Sequence, residues 1–179
     1  FPKLNCIVVV DADLSSHGYD LRAAEKNIQL YHQLTGRAGR ASDNSSIYFQ
    51  TYSPKDEILL NISKNNPKIF LKNELKLRRE KKLPPFFKLI SLTISGNDQN
   101  SVTRFAVDLK FKLPKLNNVD ILGPVSTPIF KLKKKYRSRI LIRYPKKLFV
   151  QKYFSTLIKN LKFPQGIKLG VDVDPINFT

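Results

Sequence analysis

From Phe86 onward the apolar residues change period in a set order, and that order leaves few folds open to the second half of the chain. Residues 89–95 alternate apolar and polar, the two-residue period of a half-buried strand. Residues 102–113 put Phe105, Leu109 and Leu113 on one helical side. Residues 119–122 predict a strand edge, followed by Gly123-Pro124. Residues 129–132 and 139–144 predict a hairpin around a lysine-rich turn, residues 147–162 a second helix, and residues 167–173 alternate again. The predicted order β-α-β-β-α-β is that of a split β-α-β sandwich.

The first half reads differently. Residues 6–10 are continuously apolar, which suits a strand buried on both faces, with Cys6 in the core. Asp20 can cap a helix in which Leu21, Ala24, Ile28 and Tyr31 recur at helical spacing as far as about Leu34. A loop over residues 36–45 leads to an alternating run over 47–52. Strand, helix and strand make one βαβ unit with a right-handed crossover. Pro54 opens a short helix to about residue 65, Pro67 opens another, and Pro84-Pro85 stops it. The expected class is therefore α/β followed by α+β. Residues 1–53 form the first unit, 54–85 a helical connector, and 86–179 an α+β domain of ferredoxin-like or ribosomal-S10-like type.

Charge sharpens this division. The chain carries 32 Lys and Arg against 14 Asp and Glu, a formal net charge of +18, yet residues 1–50 are neutral. All of the excess lies in residues 51–179, which marks a boundary and points to a polyanionic partner. AT-rich coding explains Lys in place of Arg, but explains the shortage of acids less well. At 41% apolar the chain is not disordered. No run approaches the roughly 20 apolar residues that cross a bilayer, so no membrane partner is expected. A single cysteine excludes a disulfide framework and a multi-cysteine zinc site. The sequence has no Met, begins almost at once with an apolar run, and shows no signal peptide, so we expect the C-terminal part of a longer protein.

The sharpest motif is Gln33-Leu34-Thr35-Gly36-Arg37-Ala38-Gly39-Arg40. Two arginines three apart leave a predicted helix end, and the glycines let the backbone turn tightly. A guanidinium can clamp phosphate oxygens bidentately. An arginine finger uses this to stabilise the charge on a phosphoryl group in transfer. A lone Gly-Arg pair would signify only a helix C-terminus capped by Gly and cations; the whole octet points to function.

The octet resembles motif VI of superfamily 2 helicases. Before it stand Asp11-Ala12-Asp13, Asp20-Leu21-Arg22, Glu25 and Gln29-Leu30. After it come Leu83-Pro84-Pro85-Phe86, Gly123-Pro124, Pro128-Ile129, Tyr136-Arg137 and the closing Val171-Asp172-Val173-Asp174-Pro175. In this order the chain is similar, along essentially its whole length, to the C-terminal part of the primosomal protein N′ family of bacterial replication-restart helicases. The resemblance implies the end of a RecA-like second helicase lobe and an S10-like domain that contacts branched and single-stranded DNA. It implies a full protein that is an ATP-dependent 3′→5′ DNA helicase, restarting stalled forks with primosome proteins in the bacterial cytoplasm, at the nucleoid. It implies that Gln33, Arg37 and Arg40 are catalytic and that Gly36, Arg37 and Arg40 lie against ATP and its Mg. No phosphate loop and no Asp-Glu-x-His box occurs here, so this fragment alone is expected to be inactive. The family's zinc-binding cysteines are absent too, so zinc is expected only upstream. Leu34-Thr35 stands where the family usually has Val-Ala, and Lys133-Lys134-Lys135 where a glycine commonly precedes the Tyr-Arg pair.

Residues 131–147 hold nine Lys and Arg and no acid. Lys133, Lys134, Lys135, Tyr136, Arg137 and Arg139 are candidate DNA contacts, since cations neutralise phosphates and rings such as Tyr136 and Tyr144 stack on unpaired bases. The bland alternative is a solvated hairpin. Lys147 and Gln151 are four apart and would share a helix face able to grip a carboxylate. The resemblance makes them candidates for the acidic tail of single-stranded-DNA-binding protein. Asp11-x-Asp13 could hold a divalent metal, but hydrogen bonding within the lobe is favoured and no metal site is assigned. His17 is expected in a loop and His32 on a helix surface. Asp172 and Asp174 are expected to pair with nearby Lys or Arg. Two other readings compete: a non-catalytic RNA-binding module of ribosomal-protein type, and another superfamily 2 DNA helicase. The octet argues against the first, and the Leu-Pro-Pro-Phe and closing Val-Asp-Val-Asp-Pro against the second.

Overall fold

The computed structural model describes residues 6–13, 20–38, 46–64, 67–132, 135–176 and 178. The elements run β1 (Cys6–Val9), α1 (Ala23–Ala38), β2 (Ser46–Phe49), α2 (Glu57–Ser63), α3 (Pro67–Glu80), β3 (Phe87–Gly96), α4 (Gln99–Lys112), β4 (Asp120–Leu132), β5 (Lys135–Pro145), α5 (Gln151–Lys159) and β6 (Lys168–Val173). The chain is a mixed α/β protein that divides into two units, Phe1–Leu75 and Lys76–Thr179. No helix among the described residues is long and apolar enough to cross a membrane.

In the first unit β1 and β2 pair in parallel, from Cys6 opposite Ser46 to Val9 opposite Phe49. The crossover helix α1 buries Ile28 and Tyr31 among Ala12, Ile62 and Phe70, with Val9, Ala24, Leu34 and Phe49 packed alongside. Tyr31 meets the Phe49 ring edge-on at 5.0 Å and donates its hydroxyl to the Ala12 carbonyl at 3.1 Å. The Asp56 carboxylate, not Pro54, starts α2 by accepting from the Ile58 and Leu59 N–H groups. Two expectations are corrected. The first strand is not buried on both faces: Cys6, Val8 and Val10 are exposed, because within this unit the helix covers one side of a sheet only two strands wide. The helix also does not stop near Leu34, and Gly36 and Arg37 lie inside its last turns.

The second unit is one antiparallel sheet in the order β4-β5-β3-β6. Because β5 lies between β3 and β4, the β3-α4-β4 crossover is split. Ile90, Leu92 and Ile94 of β3 and Ile140, Ile142 and Tyr144 of β5 face Val102, Phe105, Ala106 and Leu109 of α4, with Val150 and Phe154, in the core. The alternating positions Ser91, Thr93, Ser95, Arg137, Arg139 and Leu141 therefore lie on the sheet face away from the helices. Asp98 caps α4, accepting from the Ser101 N–H at 2.8 Å.

Three local details differ from the sequence reading. Residues 120–132 form one long strand, with register shifts at Leu122/Val125 and Ser126/Lys131, instead of two separate segments. At the first shift Gly123 has φ +95°, and a Cβ there would lie 2.7 Å from the Arg139 carbonyl oxygen. Finally, α5 starts at Gln151 and not at 147: the Leu148 N–H bonds the Pro145 carbonyl in a turn, and buried Val150 forms the N-cap. Ahead of the sheet, Arg78 is buried and donates to the Pro84 carbonyl at 3.3 Å, while the Arg79 guanidinium lies 4.6 Å from the Phe86 ring centre.

Candidate functional site

The motif at the end of α1 presents Gln33 and Arg37 one helical turn apart, both exposed, on the side opposite Ile28 and Tyr31. Gly36 is helical and exposed, with open space where a side chain would stand, so it is not the tight turn expected of it. Arg37 occupies the last turn, where a cation also suits the helix dipole. Gly39 and Arg40 lie outside the described residues, as does His17. An exposed guanidinium with an amide one turn behind it can bind the oxygens of a phosphoryl group. Asp13 is engaged as expected: its carboxylate accepts from the Thr51 hydroxyl and the Tyr52 N–H, each at 2.7 Å. His32 departs from expectation, being half-buried with Nε2 buried and unpartnered. No three His, Cys, Asp or Glu residues gather into a metal-binding group among the described residues.

Strand alternation divides the basic stretch in ways that composition hid. Arg139 is only 8% exposed; it donates through Nη1 to the Phe178 carbonyl at 2.7 Å, with its guanidinium 5.5 Å from the Phe178 ring centre. Burial, and then the like charge of Arg137, lowers its pKa, against the pull of Asp172. Arg139 is thus no surface cation, which corrects its assignment as a direct DNA contact. Arg143 grips Asp120 through Nε at 3.1 Å and Nη2 at 2.9 Å and also donates to the Lys81 carbonyl. That bond, helped by Lys82 at 3.6 Å, holds the Asp120 carboxyl below its usual range. Tyr144 is 0% exposed and faces the helices, so it cannot stack on a base. Tyr136 is half-buried against the same core. Lys135 and Arg137 remain half-exposed. Lys133, Lys134 and the Lys131 side chain lie outside the described residues.

Lys147 and Gln151 do not share a helix face, since Lys147 sits in the turn before α5. The Gln151 amide donates to the Tyr144 hydroxyl at 3.1 Å. Asp174 pairs with Lys88 at 3.5 Å, as anticipated, and accepts from the Leu89 N–H at 3.4 Å, while Asp172 acts on Arg139 only through its charge. Sequence reasoning missed the Asp120–Arg143–Lys82 cluster and the polar row Ser91, Thr93, Ser95. The second had a readable signal, because a strand that alternates Ile, Leu, Ile with hydroxyls turns the hydroxyls away from the helix-packed face, although Ser91 is itself buried.

The sequence of the second unit matches a known domain. The family described as "Primosomal protein N C-terminal domain" matches residues 79–176, and the chain belongs to that family. Along 99% of its length the chain is 40% identical to the replication restart protein PriA of Rickettsia conorii, covering 27% of that protein. It is 32% identical to the protein of the same name from Synechocystis over 98% of the chain, and 28% identical to that of Bacillus subtilis over 98%. The chain spans about a quarter of the length of the curated relatives it matches.

Proposed function

We propose that this chain serves in replication restart, as part of an ATP-dependent 3′→5′ DNA helicase that acts at branched or stalled forks with primosome proteins. In this reading residues 1–53 are the end of a RecA-like lobe, 54–85 a connector, and 86–179 an S10-like DNA-binding domain. The strand order β4-β5-β3-β6 supports that last assignment. Gln33, Arg37 and Arg40 face ATP and its Mg across a cleft whose other wall comes from elsewhere in the full protein. Lys135 and Arg137, with Lys133 and Lys134, meet DNA. Capture of an acidic tail uses Lys147 from its turn, and Gln151 only if its amide leaves Tyr144.

The observation that carries the reading is the exposed pairing of Gln33 with Arg37 at the end of a helix anchored by Tyr31. In the full-length helicase, Arg37→Ala and Arg40→Ala should each lower ATP turnover about 10³-fold or more, the scale of a lost arginine finger. Nucleotide affinity should change far less. Near-normal ATPase in both variants would overturn the assignment.

A further inference from the structure

We propose that β6 is a self-complementary edge through which two copies of this chain pair, antiparallel about Gly170, joining two sheets into one. The proposal is independent of the helicase and DNA readings above, because it needs only the outer edge of the second unit.

Backbone bonding leaves this edge open in a fixed pattern. β6 is the last strand of its sheet and pairs only with β3, without a register shift from Lys168 to Val173. It also contains no proline, so two devices that blunt an edge are missing. The Asp174 N–H donates to the Leu89 carbonyl at 2.8 Å, in line with the same register. In an antiparallel ladder, opposed residues exchange bonds at every second pair. The pairs bonded to β3 are therefore Ser91 with Asp172, Thr93 with Gly170 and Ser95 with Lys168. On the other side of β3 the Lys146 N–H bonds the Phe86 carbonyl, which requires the same alternation. Leu169, Val171 and Val173 thus turn their N–H and C=O groups outward, away from the sheet.

The side chains decide what lies opposite. Lys168, Gly170 and Asp172 share one face, and Leu169, Val171 and Val173 the other. Pairing β6 with itself about Gly170 sets Lys168 opposite Asp172 of the second copy, and Asp172 opposite its Lys168. Leu169 and Val171 then form the bonded pairs, so the outward groups are satisfied where they stand. Centring on Lys168 or Asp172 would oppose like charges, and centring on Leu169 would leave both charges unmatched. Centring on Val171 would set Lys168 against Asp174, which Lys88 already holds. Opposite charges directly across a ladder stabilise it. Lys168 and Asp172 are both exposed, and neither makes an ion pair with a described residue. Gly170, on the two-fold axis, has no side chain to hinder the approach to about 4.5 Å of a non-bonded pair. Val171, 47% exposed on the helix-packed side, supplies apolar surface for the contact to cover.

Such an interface is isologous, the commonest kind between identical chains. Residues 168–172 of each copy make a small contact, under the roughly 1,200 Å² of stable interfaces, so the dissociation constant should be on the order of 100 µM.

The test is sedimentation equilibrium of the 179-residue chain from about 10 µM to about 1 mM, a range over which dimer should accumulate. Lys168→Asp and Asp172→Lys each turn both charge pairs into repulsions and should weaken self-association about tenfold or more. Mixed in equal amounts, the two variants should pair with each other about as tightly as the unaltered chain, because each supplies the charge the other lacks. Amide exchange gives a second readout. The Leu169 and Val171 N–H groups should slow as concentration rises, whereas the Gly170 N–H, already directed to β3, should not. A chain that stays monomeric throughout would overturn the proposal. So would a dimer that both reversals leave intact, or a mixture that associates no better than either variant alone. Circular dichroism checks the fold of each variant, and amide exchange of the unaltered chain carries the test if a reversal unfolds it.

Discussion

Gln151 donates its side-chain amide to the hydroxyl of Tyr144 across 3.1 Å, joining the first turn of α5 to a strand residue with no exposed surface. Burial, reinforced by Asp174, raises the pKa of that hydroxyl, so it stays protonated at neutral pH. Tyr144→Phe keeps the ring and removes the bond, and should cost about 0.5–1.5 kcal/mol in urea unfolding. Tyr144→Ala also empties part of the core and should cost about 3–5 kcal/mol. The Tyr144→Phe and Gln151→Ala losses should not add in the double variant; full additivity would show that the two groups act independently.

Asp120 gives a pH-dependent prediction. Its folded pKa is depressed by Arg143, so the stability it adds is present above the unfolded value of about 3.9 and is lost as pH falls through the folded value. Asp120→Asn should therefore destabilise the unit at pH 7, by less than about 1 kcal/mol because the carboxylate is one-third exposed. The gap between variant and parent should close as pH drops below about 4. A gap that persists unchanged at lower pH would mean the carboxylate's charge contributes nothing.

Two glycines should respond in opposite directions. Gly123→Ala forces a side chain into a positive φ and against the Arg139 backbone, and should cost about 1–3 kcal/mol or more. Gly36→Ala adds a methyl to an exposed helical position with open space, and should stabilise the first unit by about 0.5–1 kcal/mol. If Gly36→Ala nevertheless lowers ATPase in the full-length protein, the glycine serves close approach of a ligand and not the fold. Thermal unfolding with a parallel ATPase assay measures both effects.

Salt should weaken DNA binding steeply, because the excess charge lies in residues 51–179. With about five cations on phosphates, log K against log salt should slope near −4 to −5. A flat titration would exclude backbone recognition.

The sequence showed the second unit's element order because its strands and helices each bury one face, so periodicity maps directly onto burial. It misplaced what depends on distant partners. Arg139 reads as a surface cation until Phe178, far along the chain, is seen to cover it. Residues 147–149 looked helical by composition, yet the apolar spacing that α5 buries begins only at Val150, continuing through Phe154, Leu157 and Leu161. Cys6 looked internal because a run of β-branched residues implies cover on both faces, and only one side of this small sheet has it. The arginine motif was legible as a local string; that Gln33 and Arg37 share an exposed helical stripe required the helix to run on past Leu34.

The pairing of β3 with β6 carries a consequence for biosynthesis. β3 lies inside the sheet, but one of its edges is completed only by β6, which follows it after most of the unit's length. While the ribosome is still making the intervening residues, Ile90 through Ser95 present an unpaired row of backbone donors and acceptors beside an apolar core face. A nascent chain paused before Lys168 would thus offer other chains a strand to pair with, and the unit's hazard of aggregation is concentrated in that interval of translation.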